Sequence, residues 1–113
     1  MAMHVQSPLI GVDVAKVELV IASSETDECI CVVNQKSAIA AYLKSLPPTT
    51  AIAIEATSVY HLEFIEQAHA KGHAVYLIDG FRLKRYRESI GGRAKTDASD
   101  AKLLLRYLAH ERE

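Results

Sequence analysis

The chain has 113 residues, half of them apolar and 24% charged, with a formal net charge of -1 at pH 7. This length fits one domain with a single core. No apolar run approaches the ~20 residues of a membrane span and no signal peptide is evident, so we expect a soluble cytoplasmic protein without a membrane partner. Cys29 and Cys31 are the only cysteines, and their spacing predicts two core side chains on one strand face rather than a disulfide framework.

The small net charge hides an asymmetry between the two ends of the chain. Residues 1–80 carry four basic and nine acidic side chains, whereas residues 81–113 carry nine basic and five acidic ones. A basic segment of this density suggests a polyanionic partner, although a solvated helix face is the commoner explanation of a charge run. The residues that would bind nucleic acid are Arg82, Lys84, Arg85, Arg87, Arg93 and Lys95.

The first half of the chain predicts three strands and a helix. Residues 9–13 form a short, fully apolar segment that ends in an acid, as a central strand would. Residues 17–22 and 29–33 flank a polar turn and predict a hairpin. A helix capped by Asn34 or Ser37 then continues until a pair of prolines stops it.

The second half predicts two strand–helix units and a last helix. Residues 51–55 repeat the pattern of an apolar strand ending in a carboxylate, and residues 73–78 form a fifth strand. A helix capped by Thr57 or Ser58 lies between them. A basic amphipathic helix covers residues 81–90, and a glycine pair separates it from the last helix. The inward positions are predicted to be Leu62, Ile65 and Ala68 in the first of these helices, and Leu83, Tyr86 and Ile90 in the second.

This order of elements predicts an α/β fold with a mixed five-stranded sheet, strand order 3-2-1-4-5, and helices on both faces. Strands one, four and five run parallel, with strand one in the centre. Ligands of such sheets bind at the carboxyl ends of the strands, here between strands one and four. Asp13 and Glu55 stand at those two ends. Taken singly, each has a simpler explanation: Asp13 caps its own turn through Lys16, and Glu55 accepts backbone hydrogen bonds.

Two more acids open the last helix. Asp97 and Asp100 are one turn apart, and helical spacing puts them on the side of Ala101, Leu104, Leu105 and Leu108. Capping explains such a pair about as well as chemistry does. Together with Asp13 and Glu55, however, they would supply four oxygen ligands suited to Mg²⁺, with Mn²⁺ as a substitute. Two such ions could activate a nucleophile and stabilise a leaving oxygen at a phosphodiester.

Three blocks of the sequence resemble the motifs of the DEDD transposases, the insertion-sequence "one-ten" family that includes the Piv DNA invertases. The blocks are Ile10-Gly-Val-Asp-Val-Ala-Lys16, Glu55-Ala-Thr-Ser-Val-Tyr-His61 and Ala94-Lys-Thr-Asp-Ala-Ser-Asp-Ala101. By this resemblance Asp13, Glu55, Asp97 and Asp100 would be the catalytic, metal-binding acids. Their motif neighbours would be Lys16, Thr57, Tyr60, Lys95 and Thr96.

The resemblance also implies a fold and a biological setting. Residues 1–113 would be the RuvC-like, ribonuclease H-like N-terminal domain of a transposase that cuts and transfers DNA of an insertion element. It would act as an oligomer, guided by a structured RNA, and would recombine little alone because family members add a domain with a nucleophilic serine. Ser58 replaces a common glycine, and Asp79-Gly80 replaces a frequent Asn-Pro. These departures affect loop shape and substrate contacts and leave the four acids intact.

Three alternatives compete with this interpretation. A stand-alone nuclease or junction resolvase of the same fold would need no second domain. An actin-like ATPase fragment would need a flexible glycine after Asp13, which Val14-Ala15 does not offer. A non-catalytic nucleic-acid-binding or dimerisation module would have capped helices and no metal.

The remaining histidines and tyrosines predict packing rather than chemistry. The spacing of His61, His69 and His73 does not match a zinc motif. Tyr42, Tyr76, Tyr86 and Tyr107 are scattered over separate elements, which favours core or half-buried positions over a base-stacking platform. The glycine pair at Gly91-Gly92 is expected to let the last helix lie away from the sheet when DNA and metal are absent.

Overall fold

A mixed five-stranded sheet lies at the centre of the molecule, whose computed structural model describes residues 8–56, 59–90 and 97–111, without the side chains of residues 97–99. The sheet order β3-β2-β1-β4-β5, with β1 parallel to β4 and β4 parallel to β5, confirms the predicted topology. Two antiparallel pairings join β1 to β2 and β2 to β3. The strands are β1 (Leu9–Val14), β2 (Glu18–Ser23), β3 (Ile30–Val33), β4 (Ala51–Ala56) and β5 (Ala74–Asp79).

Within the described residues, four helices cover the two faces of the sheet, as predicted. They are α1 (Lys36–Lys44), α2 (Leu62–Ala70), α3 (Gly80–Ser89) and α4 (Asp97–Glu111). The α1 and α2 helices share one apolar cluster with β1, β2 and β4, and α3 and α4 share another with β4 and β5. No helix within the described ranges is both long enough and apolar enough to cross a bilayer.

The face under α1 and α2 is filled by large side chains. Alternate strand positions point to opposite faces, so the even-numbered residues of β1 and β4 meet the two helices. Phe64 of α2 and Leu43 of α1 complete this cluster and are 0% and 1% exposed. Full burial stabilises each large apolar side chain by roughly 1.5–3 kcal/mol. The strand contribution is Ile10, Val12, Leu19, Ile21, Ile52 and Ile54.

The face under α3 and α4 is lined by small residues where it meets α4. Gly11 of β1 and Ala53 of β4 are buried there, and Ala22 of β2 packs against Ala101 of α4. Small residues on both partners allow a helix backbone to approach the sheet closely. The larger side chains of α4 that close this face are Leu103, Leu104 and Leu108.

Several sequence predictions about individual side chains were wrong. Leu62 was assigned to the inner side of its helix but is 50% exposed, because α2 begins only at that residue and directs Phe64 and Ala68 inward. Cys31 is exposed because β3 is an edge strand whose helix contact is with α1. Neither Asn34 nor Ser37 caps α1, whose N-cap position is Gln35. The predicted caps Thr57 and Ser58 lie outside the described residues.

Candidate active site

Two strand-end carboxylates lie side by side at the carboxyl edge of the sheet. The parallel register pairs Gly11 with Ala53 and Val12 with Ile54, so Asp13 and Glu55 occupy the next position on each strand. Neighbouring strands are about 4.8 Å apart, and both acids alternate onto the α3–α4 face. Each is partly buried. The Glu55 carboxylate reaches the start of α3, where a β-carbon on Gly80 would lie 3.0 Å from Glu55 Oε2.

The last helix packs directly over β1 beside these acids. A β-carbon at Gly11 would lie 2.6 Å from the backbone nitrogen of Leu105, and closer still to the carbonyl oxygen of Ala101. Only glycine leaves room for this crossing. Because Asp13 follows Gly11 by two positions, its side chain projects toward the same face. Of the two positions that Gly91-Gly92 would allow the last helix, docked on the sheet or away from it, this structure has the docked one.

Asp100 points inward from the first turns of α4 and is 9% exposed. This confirms that it extends the buried stripe, along with Ala101, Leu104 and Leu108; Leu105 is only partly buried. Its Oδ1 accepts a hydrogen bond from Arg87 Nη2 of α3 at 2.5 Å, in an ion pair whose side chains are only 13% and 17% exposed. Burial of that extent makes the pairing important, because an unpaired buried charge is costly.

The structure thus describes the four predicted acids in unequal detail. Asp13, Glu55 and Asp100 belong to the same face, whereas for Asp97 only the backbone, as the first residue of α4, is described. Among the described side chains, no three His, Cys, Asp or Glu are grouped closely enough to hold a metal ion. The donor set itself, made of carboxylates alone, has the oxygen chemistry that Mg²⁺ and Mn²⁺ prefer.

Asn34 joins the two loops that follow the strand-end acids. Its Nδ2 donates to the carbonyl oxygen of Ala15, just after β1, at 2.8 Å and to that of Tyr60, before α2, at 3.0 Å. Its backbone nitrogen donates to Val17 O at 2.8 Å. Sequence reasoning assigned Asn34 to helix capping and missed this link, because no local pattern brings residues 15, 34 and 60 together.

The predicted nucleic-acid-binding residues separate into two groups. Arg82, Lys84 and Arg85 are exposed on α3 and line an open groove of about 600 Å³ together with Asp79, Gly80 and Phe81. Arg87 faces inward to Asp100, so its role in binding nucleic acid stays a prediction. Among the motif neighbours, Lys16 and Tyr60 are exposed at the same edge of the sheet. The other members of these two predicted sets, Thr57, Arg93, Lys95 and Thr96, lie outside the described residues.

His61, His73 and most of the described tyrosines are buried or partly buried, whereas His69 is exposed. His73 is buried at the opposite end of the sheet, where its Nδ1 accepts a hydrogen bond from Thr50 N at 3.1 Å. Burial, and then the charge of Lys71, lowers the pKa of His73. Tyr86 and Tyr107 pack edge to face with ring centroids 5.2 Å apart. Burial raises the pKa of Tyr42 to about 12. Tyr76 departs from the prediction, since it is 39% exposed on the edge strand β5.

Comparison with solved structures shows the class of this fold. The chain is similar to RuvC of T. thermophilus in complex with a Holliday junction substrate, with a TM-score of 0.62 and 13% sequence identity over 94% of this chain and 96% of that one. The sheet order and this likeness define a ribonuclease H-like, RuvC-like fold. No curated protein matches the chain.

A family model decides between the proteins that use this fold. The IS110-type DEDD transposase model, described as a transposase, matches residues 10–113. The chain belongs to this transposase family, as the three sequence blocks predicted. Membership removes the actin-like ATPase from consideration and supports a role in DNA transposition and recombination.

Proposed function

We propose that the chain carries the divalent-metal-dependent DNA-cleaving site of an insertion-element transposase. The strongest support is the arrangement of β1, β4 and α4. The adjacent parallel strands β1 and β4 end in Asp13 and Glu55, and α4 crosses β1 at Gly11, two residues before Asp13. Asp97 and Asp100, at the start of that helix, complete the proposed set of ligands. The chain's family and its exposed cationic groove both favour DNA as the substrate.

The residues of the site would have three separate roles. Asp13, Glu55, Asp97 and Asp100 would hold Mg²⁺ or Mn²⁺, which when bound would polarise the phosphodiester and lower the pKa of an attacking water or hydroxyl. Arg82, Lys84 and Arg85 would position the DNA strand by its phosphates. Asn34 would keep the two acid-bearing strand ends in register. The insertion-element ends, a structured guide RNA and further copies of the protein are the proposed partners, and the reaction is proposed to occur in the cytoplasm.

Metal binding is the first test of this proposal. Saturating Mn²⁺ or Mg²⁺ stabilises a protein by mass action, by about 2.7 kcal/mol at 100 times Kd, which raises Tm on the order of 10 °C for a domain of this size. We expect this shift in the wild type and its loss in Asp13→Asn. Asp27→Asn, which changes an exposed acid in the turn before β3, is the matched control and should keep the shift.

The outcome separates the rival functions. A non-catalytic module predicts that metal leaves Tm unchanged in all three proteins, and that Asp13→Asn is neutral or stabilising because it removes a repulsion between neighbouring acids. A stand-alone nuclease predicts metal binding together with cleavage of branched DNA by this chain alone. The transposase proposal predicts metal binding and, in DNA cleavage assays with the partner DNA, a loss of about 10³-fold in Asp13→Asn, the factor that ~4 kcal/mol of lost transition-state stabilisation gives.

A further inference from the structure

We propose that Phe81, in the first turn of α3, is a stacking platform for an unpaired base of the nucleic acid held at this site. This inference rests on the proposed function and adds to it a requirement for strand ends, flipped bases or branched DNA. Base-on-aromatic stacking needs no particular base, because every base has a π-face. Phe81 would therefore select the shape of the substrate rather than its sequence.

Phe81 stands out by its exposure. It is 81% exposed, more than any other large hydrophobic side chain among the described residues. Leu83, two positions later in the same helix, is 2% exposed and faces the core, so Phe81 lies on roughly the opposite side of α3. A single exposed apolar residue is common on proteins. The surroundings of Phe81 are what point to a ligand.

Those surroundings are cationic. Phe81 lines the groove of about 600 Å³ with Arg82, Lys84 and Arg85, all exposed. Among the described residues of that lining, Asp79 is the only acid. Its Oδ1 accepts a hydrogen bond from Arg82 N at 2.8 Å, and its Oδ2 lies 3.9 Å from Arg82 Nε. Positive charge around an aromatic face suits a ligand that has both phosphates and stacking rings, and it disfavours a purely apolar protein surface.

The platform also lies next to the proposed reaction centre. Gly80 precedes Phe81 and sits so close to the Glu55 carboxylate that a β-carbon there would be 3.0 Å from Glu55 Oε2. A strand whose phosphates follow the α3 cations would thus run past the strand-end acids. Bases inside an intact duplex are already stacked on their neighbours, so only an unpaired base could reach the phenyl ring.

The test measures binding of the whole chain to DNA that carries 2-aminopurine, whose fluorescence responds to stacking. Three probes are compared without added metal, so that cleavage cannot interfere: a single strand, a duplex with one unpaired 2-aminopurine, and a fully paired duplex. For the first two we expect Phe81→Ala to lower affinity on the order of 10-fold and to change the probe's fluorescence, as the usual energy of base–aromatic stacking implies. Phe81→Trp should bind like the wild type.

Two control variants separate stacking from charge and from apolar surface in general. Ile30→Ala, which shortens a 48% exposed residue on the far edge strand, should bind all probes like the wild type. Arg85→Ala should weaken binding to every probe and make the salt dependence shallower by about 0.7–0.9 in slope, the value for one phosphate contact. Phe81→Ala should leave that slope unchanged.

The contrary outcomes are distinct. Equal binding and equal fluorescence in wild type and Phe81→Ala would overturn the stacking role and leave the proposed metal site untouched. A change of oligomeric state in Phe81→Ala, without any change in DNA binding, would show that the ring covers a second copy of the chain and would also overturn it. Failure of the wild type to bind any probe would reject the groove as a nucleic-acid surface, whereas absence of a metal-induced Tm shift in the wild type would reject the proposed function.

Discussion

The two faces of the sheet use residues of different size, and the difference separates stability from function. The face under α1 and α2 is packed with isoleucine, leucine, valine and Phe64, all nearly inaccessible to solvent. The face under α4 is lined by Gly11, Ala51, Ala53 and Ala22. Large side chains would bury more apolar surface there, but they would hold α4 away from β1. The small residues therefore bring Asp100 to the face that carries Asp13 and Glu55.

Replacing Gly11 by alanine should disturb the packing of α4 against β1 most severely. The new β-carbon would collide with the backbone of α4, which cannot move aside as a side chain can, and we expect a loss of about 3 kcal/mol or more in urea unfolding. If the crossing were loose, alanine would be neutral or stabilising, because it lowers the entropy of the unfolded chain. Measured stability at or above that of the wild type would thus contradict the docked position of α4.

Phe64→Ala is the matched change on the opposite face. Phe64 is fully buried, and its truncation should cost about 3–5 kcal/mol by leaving a cavity. Since α4 keeps its contact with β1, metal binding by the folded molecules should be unchanged. In Gly11→Ala, by contrast, both the stability and the metal affinity should fall. Isothermal titration calorimetry with metal, at a temperature where both variants are folded, would show the loss of affinity.

Asn34→Ala should have a smaller effect that reaches both acid-bearing strands. It removes two hydrogen bonds to carbonyl oxygens, with an expected cost of about 1–2 kcal/mol. Asn34→Asp should be worse near neutral pH, because a carboxylate would face two carbonyl oxygens and could not donate to them. A higher Tm for Asn34→Asp than for Asn34→Ala in a thermal melt would contradict the link between the two loops.

The smallest effect is expected at the opposite end of the sheet, at His73. Its pKa is lowered by burial and by Lys71, so the unfolded chain takes up this proton more readily than the folded one. The stabilising contribution is complete above the ordinary value of 6.5 and is lost as the pH falls below it. His73→Asn keeps an acceptor for Thr50 N and cannot titrate, so its Tm should decline less than that of the wild type between neutral and mildly acidic pH.

The sequence predicted the fold and the position of two of the acids, since both depend on local pattern. Short apolar strands ending in Asp13 and Glu55, followed by helices, define the sheet order and put both acids at its carboxyl edge. The Arg87–Asp100 pair and the Asn34 link could not be predicted, because each joins elements that only the tertiary structure brings together. The close approach at Gly11, by contrast, could have been recognised from the sequence, because this glycine interrupts a strand of branched residues on the same strand face as Asp13.

Arg87 offers the most direct test of whether Asp100 is a metal ligand or a structural partner. Arg87→Ala leaves a largely buried carboxylate without its cation, which should cost about 3–5 kcal/mol in metal-free buffer. If Asp100 binds metal, the ion can replace the missing positive charge. Arg82→Ala is the control, because its ion pair with Asp79 is exposed and separated by 3.9 Å.

The deciding measurement is the increase in Tm on addition of Mn²⁺ to the wild type, Arg87→Ala and Arg82→Ala, with Arg87→Ala/Asp100→Asn as a fourth protein. We predict the largest increase in Arg87→Ala, an increase like the wild type's in Arg82→Ala, and loss of the extra gain in the double variant. A destabilised Arg87→Ala that gains no more from Mn²⁺ than the wild type would contradict the assignment of Asp100 to the metal site.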